Sequence, residues 1–332
     1  MTAVPPTHAE RAKAEPSWRR ALRPLLSIPT PVIFVAAALI ATYALWRQGS
    51  LEAVATSLRA TDPRSVLAIL LVYACSIFVL GVRWDMLVRL VGGQPHWMSS
   101  AEVFLTSVIV NYAAPIGLAV PTRAALTVRD LGLTPMQSSV VVGWELLLDV
   151  AALGLIGLAW IMTGGGPLLV NLLPGTGALV AVVALGLAGL LGIALVGWKT
   201  AFGRRLVARL RPLLLAPAQR PGYAAIAVLL TALFWAAQSA VMAALVGLFG
   251  VTPTPSLMLG LMGLPMLIGM LSPVPGGAGV REALMTAMAG VEGQPGAPVL
   301  LAAVAYRLAL FIVTPVVWGG LRFVRMATSR NR

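Results

Sequence analysis

The segment PVPGGAGVR, residues 273–281, follows the short apolar stretch 257–271 and ends in an arginine. Proline lacks a backbone donor and glycine permits left-handed backbone, so a helix is expected to end here. The stretch before the segment is shorter than the ~20 apolar residues that a helix needs to cross a bilayer. The segment therefore predicts a chain reversal between two short helices.

A second segment, PIGLAVPTR, residues 115–123, has the same character: it overlaps the end of the apolar stretch 101–120 and contains two prolines. Arg123 comes eight residues after Pro115, and Arg281 comes eight residues after Pro273. The two segments therefore predict two similar hairpins, each followed by an arginine. The predicted turn residues are Pro115, Gly117, Pro275, Gly276, Gly277 and Gly279.

The composition places both hairpins in a membrane protein. Hydrophobic residues make up 59% of the 332 residues and charged residues only 11%, whereas soluble domains carry roughly 25% charged residues. A water-soluble globule is therefore excluded. The net charge of +13 is not a nucleic-acid footprint, because the arginines sit between apolar runs, as the positive-inside rule requires of a membrane protein.

The apolar runs and the loops between them give a topology. The loop 200–222 is basic without an acid and the loop 163–174 is uncharged, which predicts a cytoplasmic and an external side and two cytoplasmic termini. The region 101–120 must then begin and end inside, and the region 257–296 must begin and end outside. The predicted full spans are 31–46, 66–84, 137–162, 175–198, 223–250 and 298–320.

The predicted fold class is an all-α polytopic membrane protein with about six full transmembrane helices. Two oppositely oriented re-entrant or broken-helix hairpins complete an inverted repeat, which is typical of transporters with a site near the bilayer midplane. The predicted organisation is a basic cytoplasmic tail (1–30), one transmembrane domain (31–325) and a cytoplasmic tail (326–332). The domain consists of half repeats 65–162 and 223–321, joined by the linker span 175–198.

Charged residues within the apolar spans are the candidate site, since each costs roughly 2.5–3.5 kcal/mol on insertion scales. Glu145 and Asp149 are four residues apart and share a helix face. They either form structural ion pairs with Arg123, Arg281 or Arg307, or line a path for a headgroup, with proton coupling as an option. Arginine after a glycine-rich turn can bind phosphate; the alternative is snorkelling to the headgroups.

The remaining polar positions are weaker candidates. We interpret Arg83, at the end of a predicted span, as an interfacial anchor. Asn111 lines the cavity or caps freed backbone groups. The predicted substrate-binding residues are Arg123, Arg281, Arg307, Glu145, Asp149, Asn111, Tyr306 and Glu282.

The segment 275–282 with Tyr306 and Arg307 resembles the flippase-like transmembrane family, named after the membrane region of lysylphosphatidylglycerol synthases (multiple peptide resistance factors). The likeness runs from about residue 67 to residue 325. It implies translocation of an anionic or phosphate-bearing lipid, or of a lipid-linked precursor, by a stand-alone member without a synthase domain. Family members often carry a glycine and an acid where Ala119 and Val120 stand, and an arginine where Leu146 stands. Anion recognition is therefore expected to rest mainly on Arg281 and Arg307.

Other functions stay open at this point. The alternatives are a secondary transporter of a small anion, and an accessory subunit or intramembrane enzyme of lipid biosynthesis. We predict no enzyme activity, catalytic residue, metal or cofactor, because no nucleophile motif or metal-ligand spacing is present. The predicted partners are membrane lipids and lipid-biosynthesis enzymes, without nucleic acid and with the oligomeric state undecided, and the predicted location is the inner (cytoplasmic) membrane.

Overall fold

The computed structural model describes residues 61–113, 119–165, 211–272 and 277–330, together with the separate residues 52, 55, 56, 59 and 208. Within these residues the chain is helical and contains no strand. The helices are α1 (Pro63–Leu90), α2 (Trp97–Ala113), α3 (Ala119–Leu131), α4 (Pro135–Trp160), α5 (Ala216–Gln219), α6 (Pro221–Leu248), α7 (Pro255–Met262), α8 (Leu264–Leu271), α9 (Val280–Val291) and α10 (Gly296–Arg330).

Four of these helices are long and apolar enough to cross a membrane: α1, α4 with the π-helical turn that follows it, α6 and α10. They contain the predicted spans 66–84, 137–162 and 298–320, and all but the last two residues of the predicted span 223–250. The prediction of an all-α polytopic membrane protein is therefore confirmed. The predicted spans 31–46 and 175–198 and the predicted tail 1–30 lie outside the described residues. Helix α10 continues to Arg330, so most of the predicted tail 326–332 is helical.

Local sequence signals explain where three of the helices, α1, α4 and α7, begin. Asp62, Thr134 and Thr254 precede α1, α4 and α7, and each side chain accepts a hydrogen bond from a backbone N–H of the first turn. A proline follows in the first turn of each helix, where its missing N–H costs nothing. These caps satisfy donors that the helix itself leaves open.

One end of the molecule, here called the basic end, gathers the ends of α1, α2, α6 and α10. The Arg220 guanidinium at the start of α6 donates to the carbonyl of Arg89 at the end of α1. Arg325 near the end of α10 donates to Glu102 near the start of α2, at 2.6 Å. Helices α1 and α2 therefore have opposite directions, and so do α2 and α10.

At the opposite end of the molecule, the carboxylate of Glu292 connects three helices. Glu292, directly after α9, accepts hydrogen bonds from the Trp160 indole at the end of α4 and from Ser256 at the start of α7, each at 2.8 Å. Trp160 is fully buried. The end of α9 and the start of α7 are thus fixed beside the end of α4, far along α4 from the basic end.

Two short helix pairs lie between the long helices in opposite directions. The pair α2 and α3 has both outer ends at the basic end, because α3 leads within a few residues into the start of α4. The pair formed by α7–α8 and α9 has both outer ends at the opposite end. The predicted turn residues Pro115, Gly117, Pro275 and Gly276 lie outside the described residues.

Glycines shape the second pair at three described positions. Gly277 and Gly279, both predicted as turn residues, have φ of 64° and 80°, which favours glycine. A Cβ at Gly277 would overlap the backbone of Gly269 in α8. Gly263 separates α7 from α8 where the backbone meets Gly157 of α4, and a Cβ there would lie 2.7 Å from that backbone. The apolar stretch 257–271 is thus divided into two short helices at Gly263, a position that was not predicted.

Candidate functional site

Two arginines and two carboxylates form a group here called the balanced cluster (Arg83, Arg123, Glu145 and Asp149), of which the first three are buried and Asp149 is partly buried. Arg83 donates to both carboxylate oxygens of Asp149, at 2.6 and 3.0 Å, and its second nitrogen lies 3.5 Å from Glu145. Arg123 donates to the same oxygen of Glu145. The formal charges of these four residues cancel.

Neighbouring helices hold the balanced cluster in place. Ser107 of α2 accepts a hydrogen bond from Nε of Arg123 at 2.8 Å, and the Phe104 ring lies 4.1 Å from that guanidinium. The indole of Trp235 in α6 donates to Asp149 at 3.0 Å. Buried ions need several partners of this kind, since desolvation otherwise exceeds the attraction between them.

The interpretation of Arg83 as an interfacial anchor was wrong. Its side chain is 1% exposed, and α1 continues past Trp84 to Leu90, which puts Arg83 inside the helix rather than at its end. The sequence offered one usable signal: Glu145 and Asp149 both need a cation, and Arg123 can serve only one of them. Arg83 was the other arginine in the same half of the chain at the edge of an apolar run.

A second group, the cationic cluster, consists of Arg281, Glu282 and Arg307. Nε of Arg307 lies 2.9 Å from Oε1 of Glu282, and Nη2 of Arg281 lies 3.4 Å from the same oxygen. The other oxygen of Glu282 accepts the backbone N–H of Gly279 at 2.7 Å, which caps α9. One carboxylate therefore serves two guanidinium groups and a helix cap, and the cluster carries a formal surplus of one positive charge.

The extra positive charge of the cationic cluster resides mainly on Arg281 rather than on Arg307. The Arg281 guanidinium lies 5.0 Å from the ring centre of Tyr306, and its Nη1 approaches the sulfur of Met266 at 3.4 Å. Its Nε is buried and has no hydrogen-bond partner. Thioether sulfur and an aromatic face are weak partners for a cation. The contact of Arg281 with Glu282, at 3.4 Å, is also longer than that of Arg307, at 2.9 Å, so Arg281 has the less neutralised guanidinium of the cationic cluster.

A cavity of about 490 Å³ lies between the two clusters. Its wall includes all four residues of the balanced cluster, together with Arg281 and Asn111. The structure thus brings together five predicted site residues: Arg123, Glu145, Asp149, Asn111 and Arg281. The other three, Arg307, Tyr306 and Glu282, are buried behind Arg281 and support it from outside the cavity wall.

Apolar side chains form one side of the cavity. Val120 of α3 and Leu146 of α4 both belong to its wall, and they are 51% and 43% exposed. Exposed apolar side chains on a membrane protein face lipid tails rather than water. Among the described residues, the wall of the cavity thus includes apolar side chains that are also exposed on the surface of the protein.

Fold and site together define a multi-pass, all-helical membrane protein with a charged cavity where two opposed helix pairs meet. The chain belongs to the family described as lysylphosphatidylglycerol synthase TM region, whose match covers residues 32–319. The resemblance stated from the sequence is thereby confirmed. No curated protein matches the chain. Family membership links the protein to lipid metabolism or modification in the membrane.

Proposed function

We propose that the protein translocates a lipid with an anionic or phosphate-bearing headgroup between membrane leaflets. The headgroup passes through the cavity while the acyl chains stay in hydrocarbon. The observation that carries this proposal is the surplus positive charge of Arg281 on the wall of a cavity with an apolar side. The family's link to lipid metabolism supports a lipid over other anions.

The charge balance supports the sign of the ligand. The balanced cluster is formally neutral, so Arg281 sets the net charge of the cavity wall. A phosphate oxygen would give the buried Nε of Arg281 the acceptor that protein atoms do not provide. Guanidinium and phosphate match in paired hydrogen bonds.

The size of the cavity and the exposed apolar side chains of its wall support a lipid rather than a free ion. A volume of about 490 Å³ falls in the range of small-molecule sites, suited to a headgroup without its tails. The tails would leave between α3 and α4, where Val120 and Leu146 are exposed.

The topology follows from the same geometry. In this proposal the basic end is cytoplasmic in an inner membrane, with both termini on that side. The pairs α2–α3 and α7–α9 are re-entrant hairpins of an inverted repeat, entering from opposite sides. Their outer ends at opposite ends of the molecule support this arrangement, and non-helical turns at membrane depth are tolerated where they line a cavity.

Arginine side chains lower the barrier to crossing by replacing headgroup hydration with fixed charges and dipoles. Glu145 and Asp149 are held by guanidinium groups, which favours a role as fixed charges over a role as proton carriers. Movement in this scheme is downhill and needs no nucleotide, and the protein is a transporter rather than an enzyme.

The test is lipid movement in proteoliposomes that contain fluorescent phosphatidylglycerol, measured by quenching of the outer leaflet. Arg281→Ala should reduce the rate roughly 10- to 100-fold, the loss expected for one charge-assisted hydrogen-bond pair. Arg281→Lys keeps the charge and should recover part of the rate. The matched control is Arg64→Ala, an exposed arginine in the first turn of α1 and away from the cavity.

Three outcomes would overturn the proposal. An unchanged rate in Arg281→Ala removes the site. Uptake of a soluble anion without relocation of lipid identifies a small-anion transporter. A chemically altered lipid, detected by mass spectrometry of the liposomes, identifies an intramembrane enzyme.

A further inference from the structure

A second cavity, of about 540 Å³, lies at the basic end between α2, α3 and α10. None of its wall residues lines the central cavity. Its wall is mostly polar and charged, unlike the surrounding membrane-facing surface. The charged and aromatic residues of this second cavity, here called the basic cup, are Glu102, Arg129, Asp130, Trp318, Arg322 and Arg325.

The basic cup holds three guanidinium groups and two carboxylates. Arg325 lies 2.6 Å from Glu102, and Arg129 makes two hydrogen bonds to Asp130, at 2.6 and 3.0 Å. The Arg129 guanidinium, with a smaller contribution from Arg325, holds the pKa of Asp130 below its usual range. Two of the three arginines are thus matched by acids, which leaves one positive charge over.

Arg322 carries the unmatched charge. Its nearest carboxylate oxygen, on Glu102, is 3.6 Å away, and that carboxylate is already bound by Arg325. Its guanidinium lies 5.2 Å from the ring centre of Trp318. The Trp318 indole donates to Thr106 at 3.0 Å, which fixes the ring on the wall of the cup. About half of the Arg322 side chain is exposed, so its donors are accessible to a ligand.

The surface beside the cup fits a lipid better than a free ion. Phe323 and Met326 alternate with the arginines along α10 and are 70% and 51% exposed. Tryptophan favours headgroup depth, with its ring toward the acyl chains and its N–H toward polar groups. A phosphate in the cup would therefore have apolar side chains next to it on which acyl chains can lie.

We propose that the basic cup binds the phosphate group of an anionic phospholipid from the leaflet at this end of the molecule. Arg322 donates to the phosphate, and Trp318 and Met326 contact the start of the chains. This site goes beyond the proposed translocation: it is separate from Arg281 and binds lipid whether or not the protein moves lipid.

Native mass spectrometry of the purified full-length protein, titrated with phosphatidylglycerol or phosphatidylcholine, tests the proposal. Arg322→Gln should weaken phosphatidylglycerol binding about fivefold, as expected for one basic residue near a membrane surface. Glu102→Gln should strengthen it by a similar factor, because it leaves a second guanidinium unmatched. The matched control is Arg211→Gln, an exposed arginine shortly before α5 and outside the cup.

The outcomes distinguish a lipid site in the basic cup from non-specific binding, from a soluble-phosphate site and from binding in the central cavity. Equal weakening in Arg322→Gln and Arg211→Gln would overturn the proposal, since any basic surface residue would then suffice. Displacement of the lipid by inorganic phosphate at equal concentration would identify a soluble-phosphate site and also overturn it. Loss of binding in Arg281→Ala but not in Arg322→Gln would put the lipid in the central cavity. Retained binding in Arg281→Ala, with loss in Arg322→Gln, supports it even if translocation itself fails its own test.

Discussion

The balanced and cationic clusters contain the same chemical groups in different proportions. In the balanced cluster two guanidinium groups face two carboxylates. Arg83 is 1% exposed, and its two terminal nitrogens donate to the two carboxylate oxygens of Asp149. In the cationic cluster two guanidinium groups share Glu282. Cancellation of charge makes the first cluster a structural element of the membrane domain, whereas the shortage of acid in the second leaves a charge available for a ligand.

The largest expected difference is in stability. Arg83→Leu should lower the free energy of unfolding by about 3 kcal/mol, because it leaves the Asp149 carboxylate, whose side chain is only 14% exposed, without its cation. Arg281→Leu should cost about 1 kcal/mol or less, the scale of its contact with Tyr306, since Glu282 keeps Arg307. Denaturant titration of both variants in the same detergent measures the difference.

A double variant sharpens this first prediction. Arg83→Leu with Asp149→Leu should recover most of the lost stability, because removing both members of a buried ion pair is often nearly neutral. Equal losses for Arg83→Leu and Arg281→Leu would mean that the two clusters do not differ in the way proposed.

The second prediction concerns the turn that presents Arg281. Gly277→Ala should destabilise the protein by about 1–3 kcal/mol, because φ is +64° and the new Cβ would meet the backbone of Gly269. Gly143→Ala is the matched control: Gly143 lies inside α4 with open space around it and should be neutral or slightly stabilising. Thermal unfolding of the two variants tests this, and a neutral Gly277→Ala would contradict the backbone contact.

The third prediction concerns a substitution, Glu145→Gln, that gives the balanced cluster a net positive charge. Glu145→Gln leaves Arg83 paired with Asp149 but removes the carboxylate partner of Arg123. The added charge on the cavity wall should tighten binding of an anionic headgroup about three- to tenfold and make it more salt-dependent. Titration with a short-chain phosphatidylglycerol at two ionic strengths measures both effects. An unchanged affinity would show that binding in the cavity does not depend on the charge of its wall.

The smallest effect belongs to an exposed pair outside both clusters, Arg129 and Asp130. The Arg129 guanidinium lowers the pKa of Asp130, so the pair contributes stability above the unfolded-state pKa of about 4 and loses it as the pH falls through the lowered value. The Arg129→Gln variant should therefore be as stable as the wild type below that pH range and slightly less stable than the wild type at pH 7, as measured by thermal unfolding at both pH values. A difference that grows toward acid would contradict the assignment.

Much of the site could be predicted because charge inside an apolar run is rare. Glu145 and Asp149 were found on that ground, Arg123 and Arg281 because each follows a turn rich in proline and glycine, and all four line the cavity. Arg83 was missed because hydropathy does not reveal whether a helix ends at Trp84 or continues to Leu90. The break at Gly263 was missed for a related reason: it depends on the backbone of Gly157, more than 100 residues earlier in the chain.

Composition and the positions of proline and glycine were enough to determine a membrane-embedded helical chain, four of its spans and the two short helix pairs. These features depend on local backbone chemistry and on the transfer of side chains from water to lipid, which the sequence contains. Only the tertiary structure decided which arginine meets which carboxylate. Those pairs join separate helices, as in Arg83 with Asp149 and Arg307 with Glu282, and ionic attraction is fixed by distance in space rather than by position in the sequence. The surplus charge on Arg281 follows from that pairing alone.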